Sequence, residues 1–493
     1  MNTLTKTDFI HYLRCPESLW LSKNKPEKAK QDEYSLFLRK IIEEGYEVES
    51  YAEQLFPEAI KLPDDGSFED TREALEKPNS QFIQATFSTE KGALARVDIL
   101  ERLPNNAWHL YEVKSSTGVS TKKSHNHIFD TAFQKYILEE NGLQVDKVSV
   151  IHLNKEYLRQ GEVQASQLLE ISEVTSQVNT VYETIVEQIQ EALDFINLSE
   201  IEEDKCSCLR KTRSNHCDNF DYFNAWLPKH PIHEIKRLTE KKLNAFLNAN
   251  QFGISEIQED ANLNESQKAQ VTSLQQGKPV VDWNTIKTQL DALVFPLHFF
   301  DYETYASAVP QMDGLRPHEH MPFQVSIHSM DENGNLKHFE HLADDLEMPE
   351  KMLEGMQEFT GTEGTFISWH ASFEKGRNNA MKLWLPQFSD YLDYINDHMF
   401  DLETIFAKDY IDYQFKGSSS IKKVLPVLVP DLDYGDLEIQ DGTMAMDTWG
   451  NLVSSGNQSS DLEEIRNSLL AYCKLDTLAM VEIYEFLKKH LEN

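Results

Sequence analysis

The sequence predicts an α/β protein in which two mixed α/β domains are joined by a helical connector. Residues 92–115 alternate apolar and polar side chains on both sides of a Pro104-Asn105-Asn106 turn, a pattern typical of a β-hairpin. Helical periodicity runs from Tyr34 to Phe56, and an apolar run at 294–300 predicts a buried strand in the second half. The expected domains are residues 1–220, 221–290 and 291–493.

Composition limits the classes of function. A chain of 493 residues with 40% hydrophobic side chains can bury several cores, which argues against a disordered protein. Acidic residues number 82 and basic residues 47, a net charge of −35, so any contact with nucleic acid must be local. The first residues do not resemble a signal peptide, and no apolar run approaches the roughly 20 residues that span a bilayer. These features predict a soluble cytoplasmic protein without a membrane partner.

The predicted hairpin places a carboxylate beside an ammonium group. Side chains repeat every two residues along a strand, so Glu112 and Lys114 lie on one face, and Asp98 comes from the partner strand. Carboxylates of this kind could hold Mg²⁺ or Mn²⁺, while the lysine orients water or stabilises charge on a phosphate. A solvent-facing ion pair would explain the same pattern without function.

Four cysteines flank this region in the manner of metal ligands. Cys15 follows a helix predicted over Thr5–Leu13, and the other three lie after the hairpin domain; they are Cys206, Cys208 and Cys217. Either an iron–sulfur cluster or a tetrahedral zinc ion would use four thiolates, and buried free thiols are the remaining alternative. The fifth, Cys473, is predicted to be a buried, inert thiol in the last helix.

The first half resembles the RecB-like nucleases of the PD-(D/E)xK superfamily, in the CRISPR-associated exonuclease and AddB-type branch that carries an iron–sulfur staple. The resemblance covers about residues 1–220 and rests on the D…ExK pattern and the flanking cysteines. It implies that Asp98 and Glu112 bind a metal ion and that Lys114 assists the chemistry. It also implies a 4Fe–4S cluster on the four cysteines.

Two positions depart from that family pattern. Family members usually place a histidine where this chain has Glu49, so Glu49 is carried over as a candidate metal ligand. The helix after Lys114 often reads Q-x-x-x-Y in the family, whereas Gln134 and Tyr136 are separated here by one residue.

The second half carries another spaced set of acidic side chains. Asp301 and Glu303 follow the apolar run and share one face of the predicted strand. Near the end of the chain, Ser460-x-x-Glu463 reads as a capping box, and the helix after it places Tyr472 and Asp476 one turn apart. A hydroxyl and a carboxylate therefore share one helix face.

This second set resembles the DEDD exonucleases of the ribonuclease H-like fold, in the subtype that carries a tyrosine. The segment that ends at Glu374 fits the family's N-x-x-x-D-like segment with glutamate in place of aspartate. Asp401 is interpreted as structural, with the role of a substitute metal ligand as its alternative. The resemblance implies a mixed sheet flanked by helices and a water-orienting role for Tyr472. Four carboxylates would bind two divalent ions: Asp301, Glu303, Glu374 and Asp476.

Together the patterns predict a metal-dependent DNA nuclease with two active sites that processes ends in repair, recombination or defence against foreign DNA. The order of the two modules is similar to a bacterial family in which the exonuclease module follows a RecB-like domain. A helicase or a defence-system protein would be a fitting partner, because this chain lacks the G-x-x-x-x-G-K-[ST] pattern of an ATP-driven motor. The alternatives are an RNase activity in the second half, or a non-catalytic or singly active scaffold that binds DNA ends.

Overall fold

The structure, a computed structural model, describes residues 2–30, 36–63, 65–122, 125–258, 261–435, 437–454, 456 and 462–492. It is 48% helical and 18% strand, which confirms the mixed α/β class. The chain divides into two compact units. Unit 1 comprises Met1–Trp226 with Ser307–His318, and unit 2 comprises Leu227–Ala306 with Glu319–Asn493.

Unit 1 is built on one mixed sheet. The strands of unit 1 are β1 Leu4–Thr5, β2 Ile60–Lys61, β3 Gln81–Ser88, β4 Ala93–Arg102, β5 Trp108–Lys114, β6 Thr121–Lys122, β7 His125–Asn126, β8 Val145–Leu153 and β9 Leu169–Glu173. Of these, β6 and β7 form a separate two-stranded sheet. The helices of unit 1 are α1 Lys6–Arg14, α2 Pro16–Asn24, α3 Leu36–Glu53, α4 Phe68–Leu75, α5 His127–Glu140, α6 Ala165–Leu168, α7 Thr175–Ile196 and α8 Phe220–Phe223. The order of the main sheet is β2-β3-β4-β5-β8-β9, and β1 pairs with β4.

Apolar side chains cover both faces of this sheet. Along β5, Leu110 belongs to the core that includes α5 and α7, whereas Tyr111 and Val113 belong to the core on the opposite face. The two-residue repeat of a strand explains this alternation, and it turns Glu112 toward the same side as Leu110. The predicted hairpin of residues 92–115 is confirmed by antiparallel pairing of β4 with β5.

Two predicted helices in unit 1 are present with adjusted ends. The helix expected over Thr5–Leu13 is α1, and Thr5 caps it in a reciprocal capping box with Asp8. The helix expected from Tyr34 to Phe56 is observed as Leu36–Glu53, and Tyr34 lies outside the described residues. The C-terminal end was predicted three residues too late, because the amides of residues 54–56 bond three residues back and tighten the chain into turns.

Unit 2 contains a five-stranded mixed sheet of order β13-β12-β11-β14-β15. The strands of unit 2 are β10 Val280–Val281, β11 Leu297–Tyr305, β12 Met321–Met330, β13 Leu336–Leu342, β14 Thr365–Ser368, β15 Met399–Asp401 and β16 Tyr410–Ile411. Of these, β10 and β16 form a separate two-stranded sheet. The helices of unit 2 are α9 Glu240–Asn248, α10 Glu265–Gln276, α11 Trp283–Asp291, α12 Glu350–Thr360, α13 Ala371–Trp384, α14 Ser389–Asp397, α15 Glu403–Lys408, α16 Ile421–Leu428, α17 Gly442–Ser454 and α18 Leu462–Glu492. β11 pairs antiparallel with β12 and parallel with β14.

The predicted strand at 294–300 is shifted in the structure. β11 begins after Pro296, which lacks the amide that a ladder requires, and it continues to Tyr305 because β12 pairs with it along its whole length. Asp301 and Glu303 therefore lie within the strand and not beyond its end.

The segment predicted as a helical connector, 221–290, is largely helical but also contains a strand. Val280–Val281 pairs antiparallel with β16, so this segment shares a two-stranded sheet with later residues of unit 2. The capping residue Ser460 lies outside the described residues, while Glu463 lies in the first turn of α18. Among the helices that the structure describes, none combines the length and apolarity needed to cross a membrane.

Candidate metal centres

The hairpin of unit 1 brings together the three side chains predicted there. The Asp98 carboxylate on β4 accepts a hydrogen bond of 2.7 Å from the amide of Val113 on β5. The Lys114 ammonium lies 2.8 Å from Oε1 of Glu112 and 2.6 Å from Oδ2 of Asp130 on α5. Two neighbouring strands therefore place Asp98, Glu112 and Lys114 in one cluster, as the alternating pattern predicted.

Two further side chains hold Glu112. The Lys6 ammonium, from the first turn of α1, contacts Oε1 of Glu112, and the Gln134 amide donates to Oε2. Sequence reasoning missed Lys6 and Asp130, because neither belongs to the D…ExK pattern. Tyr136 does not join this cluster: it is buried in the apolar core, and its hydroxyl accepts a hydrogen bond from Gln190.

Burial and neighbouring charges raise the pKa of two acidic groups of unit 1 and lower that of a third. Burial, followed by repulsion from Glu112, raises the pKa of Asp98 to about 8. Burial also acts to raise the pKa of Glu112, but Lys114 and Lys6 outweigh it and hold that pKa below its ordinary value. Burial, followed by repulsion from Glu112, raises the pKa of Glu49. The Glu49 carboxylate accepts a hydrogen bond of 3.0 Å from the Gln84 amide. A bound cation would favour the charged forms of Asp98 and Glu49.

The four flanking cysteines of unit 1 converge. Their sulfur atoms all lie within 4.8 Å of one another, and all four residues are buried. Cys15 lies at the junction of α1 and α2, whereas the other three come from the segment between α7 and α8. Asn224 donates to the Cys206 sulfur at 3.4 Å. The set could bind a metal centre.

Zinc and a 4Fe–4S cluster place four thiolates at different separations. Zinc binds thiolate at about 2.3 Å, so tetrahedral geometry puts sulfurs about 3.8 Å apart. In a 4Fe–4S cluster each thiolate binds a different iron atom, which holds the sulfurs farther apart. The donor set fits either centre chemically.

In unit 2, three elements supply one group of carboxylates. Asp301 and Glu303 come from β11, Glu374 from the first turn of α13, and Tyr472 and Asp476 from α18. All five line a cavity of about 450 Å³. The four acidic residues predicted as metal ligands and the predicted tyrosine are therefore brought together, although up to 175 residues separate them along the chain.

Asp476 is held by a tyrosine that the sequence did not indicate. The Tyr434 hydroxyl donates a hydrogen bond of 2.6 Å to Oδ1 of Asp476, and the Tyr472 hydroxyl also bonds this carboxylate. Burial raises the pKa of Asp476 to about 6, against the lowering effect of both hydroxyls. Tyr434 lies in an irregular segment before α17, where no periodic pattern marks it.

For the remaining acidic groups of the cavity, burial and mutual repulsion outweigh the attraction of Lys422 and Arg377. Oε2 of Glu374 is fully buried and has no hydrogen-bond partner among the described residues. Burial raises the pKa of Glu303 well above its ordinary value, and repulsion from Asp301 adds to this rise. Burial and Asp301 do the same to Glu374. Hard oxygen donors arranged around a cavity in this way fit divalent ions such as Mg²⁺ or Mn²⁺.

Asp401 lies outside this carboxylate group. Its Oδ1 accepts hydrogen bonds of 3.1 Å from the amides of His370 and Glu403, which fixes the junction of β15 with α15. The structural interpretation of Asp401 agrees with these bonds. Cys473 is buried as predicted, with its sulfur 3.7 Å from the carbonyl oxygen of Asp301, and burial raises its pKa.

Comparison with known families gives one partial match. A family model described as a domain of unknown function (DUF2779) matches residues 298–420. This range contains Asp301, Glu303 and Glu374 but ends before Tyr472 and Asp476. A search of curated proteins gave no significant match.

Proposed function

We propose that this protein is a metal-dependent nuclease with two phosphodiesterase sites that processes DNA ends in repair, recombination or defence against foreign DNA. The observation that carries the proposal is the buried, unpartnered Glu374 oxygen beside three more carboxylates at one cavity. An uncompensated buried carboxylate is costly, and a divalent cation would compensate it. The mixed sheet flanked by helices in unit 2 supports the ribonuclease H-like resemblance.

In unit 2, the carboxylates of Asp301, Glu303, Glu374 and Asp476 would hold the divalent ions. Such ions, when bound, neutralise charge on phosphate and lower the pKa of water. The Tyr472 hydroxyl lies one helical turn from Asp476 and would orient the attacking water. The hydroxyls of Tyr434 and Tyr472 both bond the Asp476 carboxylate, which fixes its orientation at the cavity.

In unit 1, Asp98 and Glu112 would hold the ion, with Glu49 as a further ligand. Lys114 bridges Glu112 and Asp130, so its ammonium is fixed where it can orient water or stabilise charge on phosphate. Gln134 fixes the second oxygen of Glu112. These contacts support a RecB-like PD-(D/E)xK site.

The four thiolates would hold zinc or a 4Fe–4S cluster as a clasp on unit 1. The clasp would join the α1–α2 junction to a segment almost two hundred residues later, which closes a long loop. No redox step is required of it.

The test uses end-labelled single-stranded and double-stranded DNA, and a matched RNA, with Mg²⁺ or Mn²⁺. Four proteins are compared: wild type, Lys114→Ala, Asp301→Asn and the double variant. We expect each single variant to lose one activity by at least about 100-fold, because each removes a group that acts on the reacting phosphate. The double variant should be inactive on every substrate.

Matched controls are available on exposed surfaces of each unit. Lys147→Ala removes a solvent-exposed lysine of unit 1, and Asp345→Asn an exposed carboxylate of unit 2. Both should retain wild-type rates. Equal cleavage by wild type and the double variant would refute the assignment, as would metal-independent binding without any loss of phosphodiester bonds.

A further inference from the structure

Binding a nucleic-acid strand at the unit 2 cavity requires a positive charge that the carboxylates and their metal ions do not supply. Two divalent ions would only neutralise the four acidic side chains, so the occupied centre would have no net positive charge. A phosphodiester strand is a polyanion, and its binding depends on cations that contact phosphate. In a chain of net charge −35, bulk attraction cannot supply that cation. This argument rests on the proposed function.

Lys422 is the one lysine or arginine among the described residues that line the cavity. It is the second residue of α16, whose first residue, Ile421, lines the cavity as well. Its ammonium donates a hydrogen bond of 2.6 Å to the carbonyl oxygen of Gln440. A lysine has three donor protons, so this bond leaves two for a ligand.

The ammonium group also lies beside the two tyrosines of the site. It is 5.6 Å from the ring centroid of Tyr472 and 5.7 Å from that of Tyr434. These contacts, with the bond to Gln440, hold a positive charge at the cavity that the carboxylates line. Its location at the start of a helix adds the positive end of the helix dipole.

We infer that Lys422 binds a phosphate group of the nucleic-acid strand that enters the unit 2 site. The cavity of about 450 Å³ lies near the lower end of the size range for small-ligand pockets, so it accepts one terminal nucleotide residue and not a duplex. Lys422 therefore supplies the cation that the four carboxylates and their ions lack. It acts by holding the substrate, and the carboxylates and Tyr472 remain the groups at the reacting atoms.

The chain offers a matched control at the next residue. Lys423 is exposed, lies on the same first turn of α16, and is not among the residues that line the cavity. Replacing either lysine removes the same charge from the same helix turn. Only the replacement of Lys422 removes it from the cavity.

The experiment uses full-length protein that carries Lys114→Ala, so that unit 1 does not cleave. Fluorescently labelled thymidine and uridine octanucleotides are titrated in Ca²⁺ over a series of salt concentrations, and cleavage is measured in Mn²⁺. We expect Lys422→Met to raise Kd and KM about tenfold, with a smaller change in kcat, because one phosphate contact is lost. The slope of log K against log salt should fall by about 0.7, the value for one contact to a single strand.

Lys422→Arg should stay within about threefold of the parent, because it keeps the charge, and Lys423→Met should match the parent throughout. A role for Lys422 limited to folding would lower the melting temperature without changing the salt slope, and that result would overturn the inference. So would equal Kd, KM and salt slope for Lys422→Met and Lys423→Met in a parent that cleaves. A parent that neither binds nor cleaves either octanucleotide would overturn the proposed function as well.

Discussion

Two carboxylates of unit 2, the half-buried Asp401 and the buried Glu374, show how environment separates a structural residue from a ligand. Asp401 accepts two backbone hydrogen bonds, which satisfy its charge within the fold. Oε2 of Glu374 has no such partner among the described residues, and Glu374 lines a cavity together with other acidic residues. The first arrangement stabilises the fold, whereas the second costs stability until a cation binds.

Exchanging each carboxylate for its amide should therefore have opposite effects. In EDTA, Glu374→Gln should raise the free energy of unfolding by about 1 kcal/mol or more, because the amide neither buries a charge nor takes up a proton on folding, and it should abolish stabilisation by Mn²⁺. Asp401→Asn should lower it by about 1–3 kcal/mol and leave the Mn²⁺ effect unchanged. Chemical denaturation with and without Mn²⁺ measures both. A Glu374→Gln protein that Mn²⁺ stabilises as strongly as wild type would exclude Glu374 as a ligand.

The raised pKa of Asp98 predicts a pH dependence for unit 1 without metal. The folded pKa of about 8 exceeds the ordinary value of 3.8, so the folded state holds a proton that the unfolded state has lost. The bound proton contributes its full stabilisation of the folded state below the unfolded pKa of 3.8. This stabilisation is lost as the pH rises through the folded pKa of about 8. Between about pH 7 and pH 9, the metal-free protein should therefore become less stable. Buried His109 and His127, with pKa values of about 4, have no charge to lose there.

The measurement is the melting temperature in EDTA and in Mg²⁺ across that pH range. The increase caused by Mg²⁺ should grow with pH, because the ion then displaces fewer protons. Asp98→Asn should flatten the metal-free profile, whereas Asp146→Asn, an exposed carboxylate on β8, should not change it. A metal-free profile that rises with pH in wild type would contradict the assignment.

At the scale of elements, the cysteine cluster joins segments that the sheet does not join. α2 begins at the residue after Cys15, and a short 3₁₀ helix, Ser207–Arg210, contains Cys208. Around the cluster, the Trp20 indole donates to the carbonyl of Leu198, and Asn219 donates to the hydroxyl of Ser18, both at 2.9 Å. A metal centre would add metal–sulfur bonds to these hydrogen bonds between the two segments, in the way that structural metals contribute to folding.

Removing one thiolate should therefore release the metal and weaken the contact between the α1–α2 junction and the segment that contains the other cysteines. We expect Cys208→Ala to be purified without stoichiometric metal and to melt several degrees lower, because metal binding contributes directly to the free energy of folding. Cys473→Ala is the matched control, since that buried thiol belongs to unit 2 and its loss should leave the iron or zinc bound by the four cysteines unchanged. Elemental analysis of iron and zinc, with the visible spectrum of anaerobically purified protein, identifies the centre. Wild-type protein with neither metal would contradict the prediction.

Patterns with a local period were the ones that sequence reasoning predicted well. The two-residue repeat placed Glu112 beside Lys114, and the one-turn spacing placed Tyr472 beside Asp476. Lys6, Lys422 and Tyr434 were not foreseen as members of a site, because long-range packing brings them there and no spacing near them reports it. The strand that carries Asp301 was predicted too early, since its end depends on its pairing with β12.

For the molecule as a whole, the order of residues along the chain does not match the division into units. Ser307–His318 lies in sequence between β11 and β12 of unit 2, yet it belongs to unit 1. Ala308 and Val309 are 0% and 1% exposed in the core that contains Val48 and Val113. The His318 ring hydrogen-bonds the carbonyl of Ser115, next to Lys114. A unit 1 that ended at residue 226 would lack part of its own core.

A charge introduced into this segment should destabilise unit 1 specifically. Val309→Asp would bury an unpaired carboxylate, at a cost of about 3 kcal/mol or more, whereas Gln311→Ser, an exposed position two residues on, should cost less than about 0.5 kcal/mol. Hydrogen exchange of the full-length protein resolves the effect by unit. Protection should fall in β4 and β5 and remain in β11 and β12. This selective loss is expected because only the core around Val48 and Val113 loses an apolar partner. Unchanged protection throughout, or an equal loss in both sheets, would contradict the assignment of this segment to unit 1.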